Sequence, residues 1–499
     1  MNIFYKIILR VVLFAVIIVI MSFLYDYFLS EKDIQTHSDI INLSRDIQYD
    51  TKVIYIGESS NITFQNTDLD KRPISSFVAD FFPELKMADI TLPASHAGIY
   101  KVLLNKINKE SEINTVIVTL NLRSFNAQWI YSKLETSLQK SLVLLNDYPP
   151  FFNRFLLSFK AYDNKTETER KEQIDQKWKN ELLKFPYNFP HRNVTEWDNW
   201  MASTQYINDQ NDTTQKNIEL ACHYIKAYAF TIDTFTNPRI HDFDKIIELS
   251  KKRGWNLIFN LMAENTEKAQ SLVGKELIYL MEHNRKILTD YFQKKGVTVV
   301  DNLNAVENIQ FIDQDWTTEH YAEVGRKTIA QNVAQKLKQF YPDKYYHIDY
   351  SSSQPTYFFN DCDKQIIWGQ MQTITDVNSY SGNYSSSTGK GNDFSITFEY
   401  PFNKIPDTST NIINIGFRTF MYSNSHDAKL VIELSGSKIE YYWNGIPIAD
   451  QVTTINEWKD YNYTLNIPEE VKQADLIKIY IYNPSKSVIL VDDLRVEFK

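Results

Sequence analysis

Two short motifs, far apart in a chain of 499 residues, carry the residue types that acyl transfer needs. Gly57-Glu58-Ser59 closes an apolar run, so Ser59 stands just past a strand, where a hydroxyl can project into a crevice. The helix start that follows offers free amides and a positive dipole end, which suit a developing oxyanion. A serine there serves equally well as a helix cap. Near the other end, Asp313-Gln-Asp-Trp-Thr-Thr-Glu-His320 puts a histidine in a loop with carboxylates upstream. His320 can then act as base for Ser59 while a carboxylate orients its imidazole. Asp315 is the expected orienting acid and Asp313 the next choice. Glu319 ranks behind both, because adjacent side chains in a loop diverge, and a Ser–His dyad backed by a carbonyl is the remaining option. Two further loops offer oxyanion donors, the backbone N–H of Gly98 and the side-chain amide of Asn121. Taken singly, Gly98 is also a turn residue and Asn121 also a cap.

The elements that must position these residues read as an alternation. Apolar runs at Thr51-Lys-Val-Ile-Tyr-Ile-Gly57, Ala88-Asp-Ile-Thr-Leu-Pro93, Asn114-Thr-Val-Ile-Val-Thr-Leu120, Trp255-Asn-Leu-Ile-Phe-Asn-Leu261 and Gly296-Val-Thr-Val-Val300 predict strands. Helical periodicity separates or follows them at 100–107, 242–253, 272–295 and 323–340. Strands alternating with helices predict a parallel sheet with helices on both faces, and functional residues at the strands' C-terminal ends. Between the third and fourth strands, 131–236 has no strand pattern and reads as a mostly helical insertion. It can roof the crevice or pack on the outer face of the sheet.

Beyond Pro342 the texture changes to short alternating runs, among them 393–400, 429–434, 439–443, 476–482 and 488–498. Period-two runs with turn residues between them predict an antiparallel β-sandwich. At the other end, Lys6 and Arg10 precede an apolar run to Leu24, with Tyr25 and Tyr27 after it. Its length suits a single membrane span with Arg10 snorkelling and the tyrosines at the far interface. No small-x-small cleavage site follows, which favours an uncleaved anchor over a signal peptide. The charge asymmetry around the run, with Asp26, Glu31 and Asp33 behind it, predicts that the rest lies outside the cytoplasm.

A net charge of −9 argues against a nucleic-acid partner, since no basic surplus exists to neutralise phosphates. Cys222 and Cys362 are the only cysteines, too few for a disulfide framework or a Cys-rich zinc site. No metal-ligand spacing, P-loop or dinucleotide motif calls for a metal or cofactor.

Ser59, Gly98, Asn121 and His320 on successive loops resemble the blocks of the SGNH (GDSL) hydrolase superfamily. Gly57-Glu58-Ser59 resembles its Gly-Asp-Ser block with Glu for Asp, and Thr119-Leu-Asn121 its Gly-x-Asn block with Thr for Gly. His320 followed by Gly325 resembles its terminal block, although the acid three positions before the His is here Thr317. The resemblance implies a flavodoxin-like three-layer domain, a Ser59–His320–Asp315 triad and an oxyanion hole from Ser59, Gly98 and Asn121. The anchored layout is most similar to the D-alanyl-transfer and polysaccharide O-acyl branches. The final strand resembles that of jelly-roll carbohydrate-binding modules. Together these imply an esterase or acyltransferase acting on O-acyl groups, acetyl first among them, of a cell-surface or exported glycan. The rival expectation is a non-catalytic glycan binder on a degenerate scaffold. The expected organisation is an anchor at 1–29, a stalk at 30–48, the α/β domain at 49–342 and the sandwich at 343–499.

Overall fold

A computed structural model describes the chain except residues 1–2, 38, 46, 66–67, 69, 133–135, 146–148, 164, 205–211, 349, 351–355, 364–367, 403–404, 406–410 and 425–426. It divides into two compact units.

The first unit takes in residues 1–63, 82–321 and 332–345. Its centre is a parallel sheet of β1 (Val53–Gly57), β2 (Met87–Thr91), β3 (Thr115–Leu120), β4 (Asn256–Leu261) and β5 (Thr298–Asp301), in the order β2-β1-β3-β4-β5. β1 and β3 are buried along their whole length, as expected of unbroken β-branched runs covered on both faces. Each side chain such as Ile54, Ile56, Val116 or Val118, fully buried, contributes about 1.5–3 kcal/mol by leaving water. The chain goes from β1 outward to β2 and returns past β1 to β3, so strand order reverses between β1 and β3. A crevice opens at such a reversal, outside the strands' C-terminal ends.

The principal helices are α1 (Ile3–Tyr25), α2 (Ala97–Lys106), α3 (Pro150–Ser158), α4 (Val194–Thr204), α5 (Asp212–Tyr228), α6 (Pro238–Arg253), α7 (Lys275–Lys294) and α8 (Glu323–Leu337). α7 buries Leu277, Leu280, Met281, Leu288 and Phe292, a three-and-four spacing that lines one face. Asn237 caps α6 through the Arg239 N–H, and Gly254 ends it at φ 72°, a conformation glycine adopts without a Cβ penalty. Residues 31–37 and 39–45, expected as a stalk, are two short helices whose Ile34 and Ile41 join the main core. In the insertion, Trp197 of α4 and Tyr224, Ile225 and Tyr228 of α5 enter that same core.

The second unit comprises 64–81, 322–331 and 346–499. Two antiparallel sheets carry it. One contains β13-β10-β15-β8-β7, with β6 pairing β15, and the other β12-β11-β14-β9. The strands are β6 (Tyr357–Asn360), β7 (Ile374–Thr375), β8 (Ser385–Thr388), β9 (Phe398–Pro401), β10 (Ile412–Met421), β11 (Lys429–Ser435), β12 (Tyr442–Pro447), β13 (Trp458–Asn466), β14 (Leu476–Tyr482) and β15 (Ile489–Phe498). Ile413, Ile415 and Phe417 of β10 share a core with Leu430, Ile432 and Leu434 of β11 and Ile477, Ile479 and Ile481 of β14. The fold is thus an α/β unit with a flavodoxin-like parallel sheet, an all-β sandwich and one apolar N-terminal helix.

The segment 64–81 is held in the second unit by buried charge. Arg72 bridges Asp70 (2.8 Å) and Asp80 (2.7 Å), and the Tyr350 hydroxyl donates to Asp80 at 2.6 Å. Arg326 pairs with Asp68 at 2.9 Å.

Candidate active site

Ser59 lies two residues past the end of β1 and opens a single helical turn, Ser59–Ile62. Gly57 is required at the strand end by close approach, since a Cβ there would lie 2.7 Å from Thr119 Oγ1 on β3. Glu58 caps the turn, accepting from the Ser60 N–H at 3.2 Å and from the Ser60 hydroxyl. The Ser59 N–H, at the head of the turn, has no acceptor among the described residues.

His320 arrives from the opposite end of the sheet. The Ile312 N–H donates to the His320 carbonyl at 2.9 Å, and Phe311 and Tyr321 form an antiparallel bridge. These contacts close residues 312–320 into a loop, and the Tyr321 hydroxyl ties its base to the Ala263 carbonyl after β4 at 2.7 Å. Ser59 Oγ lies 3.0 Å from His320 Nε2, and Asp313 Oδ2 lies 2.7 Å from Nδ1. With Nδ1–H donating to Asp313, Nε2 is the acceptor for the Ser59 hydroxyl proton. The Thr318 hydroxyl donates to the same Asp313 oxygen.

Asp315, the expected acid, is thereby replaced at His320 by Asp313. Closing the loop at 312 and 320 sets Asp313 directly across from the ring, whereas Asp315 is carried out to an exposed turn. Spacing along the chain could not show this, because the pairing depends on how the loop ends are tied.

Gly98 also departs from its expected role. Its N–H donates to Nδ1 of His96 at 3.1 Å, and Arg239 Nη1 lies 2.6 Å from the same nitrogen. Two donors on Nδ1 leave the ring proton on Nε2. A Cβ at 98 would meet the His96 ring at 2.7 Å and Asp242 Oδ2 at 3.0 Å, so the glycine is explained by the contact of α2 with α6. Gly98 lines a cavity of about 410 Å³ together with His96, Lys101, Arg239 and Asp242. In the loop after β2 the left-handed residue is Ala94, at φ 61°.

Asn121 ends β3 and caps the turn Leu122–Phe125, its Oδ1 accepting from the Arg123 N–H at 3.0 Å. The Asn121 side chain also helps to hold down the carboxyl of Glu319, the residue beside His320. Glu319 is buried and held by both ends of the Arg123 guanidinium. Burial opposes its charge, but Arg123 outweighs this and holds the Glu319 carboxyl below its usual range. Behind it, Glu264 accepts from the Tyr228 hydroxyl. Burial, then the nearby Glu319 charge, pushes the Glu264 carboxyl well up. Arg123 therefore holds the loop that carries His320. Trp316, on the same loop, packs on His223 of α5 with ring centres 4.1 Å apart. A buried arginine and a glutamate nearly 200 positions apart give no local signal that they pair.

Glu58 Oε2 is also 3.0 Å from Ser59 Oγ. A serine hydroxyl has one proton, so it can donate to His320 or to Glu58, not to both. Burial, then the Glu319 charge, pushes the Glu58 carboxyl up.

In the insertion, His191 stacks beside Trp197 and meets Trp200 at 5.0 Å, an aromatic cluster that Phe189 joins. Cys222 and Cys362 are both buried free thiols.

No protein-family profile and no curated protein sequence matches the chain. Solved structures do. A lipase/acylhydrolase from Enterococcus faecalis aligns over 58% of this chain and 96% of its own, at 8% identity and a TM-score of 0.27. A family 22 xylan-binding domain from Paenibacillus barcinonensis covers 25% of this chain and 78% of its own, at 16% identity and TM-score 0.20. A second family 22 xylan-binding domain covers 31% and 94%, at 10% identity and TM-score 0.20.

Proposed function

We propose that this chain is a serine esterase or O-acyltransferase of the SGNH type, acting through a Ser59 acyl-enzyme on O-acyl groups, acetyl first among them, of a cell-surface or exported glycan. One observation carries the reaction class: Ser59, His320 and Asp313 stand in hydrogen-bond sequence at 3.0 and 2.7 Å. His320 takes the Ser59 proton as Oγ attacks the ester carbonyl, and Asp313 stabilises the imidazolium. In this reading the Ser59 N–H and the Asn121 side-chain amide hold the oxyanion. His320 returns the proton to the leaving sugar oxygen, and water or a second sugar hydroxyl then releases the acyl group.

A carbohydrate partner is supported by the outer face of the β12-β11-β14 sheet. Trp443 packs over Gly445, where any Cβ would strike the indole, and with Lys429 5.8 Å from its ring centre it stays 44% exposed, a surface on which a sugar ring can stack. The exposed Phe394 extends this surface, packed on the buried Tyr480 with ring centres 5.5 Å apart. The same face also favours the rival, a glycan-binding protein without catalysis. α1 is long and apolar enough to span a membrane, and we read it as an uncleaved anchor with both units on the extracytoplasmic side.

The deciding experiment measures turnover of an activated acetyl ester by the full chain in detergent. Turnover lost in Ser59→Ala with unchanged melting supports the enzyme. No turnover by the native chain, together with glycan binding lost in Trp443→Ala, supports the binding protein instead.

A further inference from the structure

The two faces of α3, nine residues within the insertion, have different fates. Asn153 and Leu157 are buried against the unit. Phe152, Phe155 and Phe159 are 44%, 51% and 69% exposed. At 3.6 residues per turn these three positions fall within a stripe about 60° wide. The rings of Phe155 and Phe159 touch, with centres 4.6 Å apart. Three exposed phenylalanines on one stripe form an apolar patch that a water-facing helix has no reason to keep.

Its neighbour indicates what covers it. α3 packs on the C-terminal end of α1. The Phe151 ring meets Tyr25 edge-on at 6.1 Å, and Arg154 reaches Asp33 at 3.3 Å. The Tyr25 hydroxyl donates to the same Asp33 at 2.6 Å, and Tyr25 is buried. α1 has 23 residues, about 34 Å at 1.5 Å per residue, against a hydrocarbon core of about 30 Å. α3 therefore docks where the span leaves the hydrocarbon, beside the exposed Tyr27 and Phe28.

We propose that α3 lies in the outer interface of the bilayer that α1 crosses, with Phe152, Phe155 and Phe159 inserted at the headgroup–acyl boundary. The proposal rests on the reading of α1 as an uncleaved span. The α/β unit then meets the membrane at two places, α1 and α3, which fixes the orientation of its crevice to the surface.

Single cysteines at Val16, Phe155 and the exposed Lys171, each carrying an environment-sensitive fluorophore, test this in the full chain in phosphatidylcholine vesicles. The native thiols are buried and stay unlabelled in the folded protein. Nitroxide lipids should quench the labels at 155 and 16, with 155 the shallower. Iodide quenching at 155 should be several-fold weaker than at 171. A label at 155 as open to iodide as that at 171, with the label at 16 within the bilayer, overturns the interfacial helix alone. A label at 16 in water overturns the anchor and this proposal with it. Phe152→Cys reads the same face should Phe155→Cys fold poorly.

Discussion

Glu319 and His320 are neighbours in sequence but belong to two polar clusters of opposite character. His320 joins Ser59 and Asp313 in a chain whose members are partly open to solvent, as a reacting group must be. Glu319 turns the other way, into a buried cluster with Arg123, Asn121, Glu264 and Tyr228. One face of the loop carries the Ser59–His320–Asp313 hydrogen-bond chain, and the other anchors the loop. Buried charge adds little net stability when paired, yet costs several kcal/mol when one partner is removed. Such a cluster specifies the position of His320 more than it strengthens the fold.

The difference predicts separable defects. Asp313→Asn should lower turnover by about 10³–10⁴-fold through loss of the imidazole's orientation and tautomer, with melting unchanged; steady-state kinetics and calorimetry on one preparation check this. Arg123→Met should lower stability as well as turnover, destabilising the protein by about 3–5 kcal/mol as Glu319 is left unpaired. Denaturant titration reads that loss. Should Arg123→Met leave stability intact, the anchoring role of the cluster is wrong.

A finer division lies within the buried cluster. Glu264 has a raised carboxyl in the folded state, so the native form holds a proton that the unfolded chain releases near 4.5. Its contribution is present below that pH and is lost as pH rises toward the folded value. Glu319, with a lowered carboxyl, contributes above its unfolded value of 4.5 and loses that contribution on acidification. Glu264→Gln mimics the protonated acid and should remove a fall of up to about 1.4 kcal/mol per pH unit above 4.5. Melting followed from pH 4 to 8 shows whether that slope disappears. Smallest of all, Asp315→Asn should alter neither turnover nor melting, because the side chain is exposed and away from the ring.

Much of this frame was legible in residue patterns. The apolar runs of β1, β3 and β4, alternating with helical periodicity, mark a buried parallel sheet, and Ser59 stands just past the end of the first. The acid was not legible, since Asp313 meets the ring only after Ile312 and His320 close the loop. Gly98 misled because a glycine needed for helix contact looks the same as one needed for an oxyanion. In the sandwich, β10 and β13 lie outside the expected runs. Both alternate, Ile413, Ile415 and Phe417 with Asn414, Gly416 and Arg418, and Tyr461, Tyr463 and Leu465 with Asp460, Asn462 and Thr464, and nine register pairs join them. The segment 64–81 belongs to the second unit through Arg72 and Asp80, a partnership with Tyr350 across 270 positions.

The central claim is that Ser59 is a nucleophile activated by His320. Labelling of the full chain with a fluorophosphonate, followed by peptide mass spectrometry, addresses it without assuming a substrate. The account predicts one adduct, on Ser59, formed in the native chain and in Asp315→Asn and strongly slowed in His320→Ala. A native chain that stays unlabelled at Ser59, or labels there equally fast without His320, would contradict it.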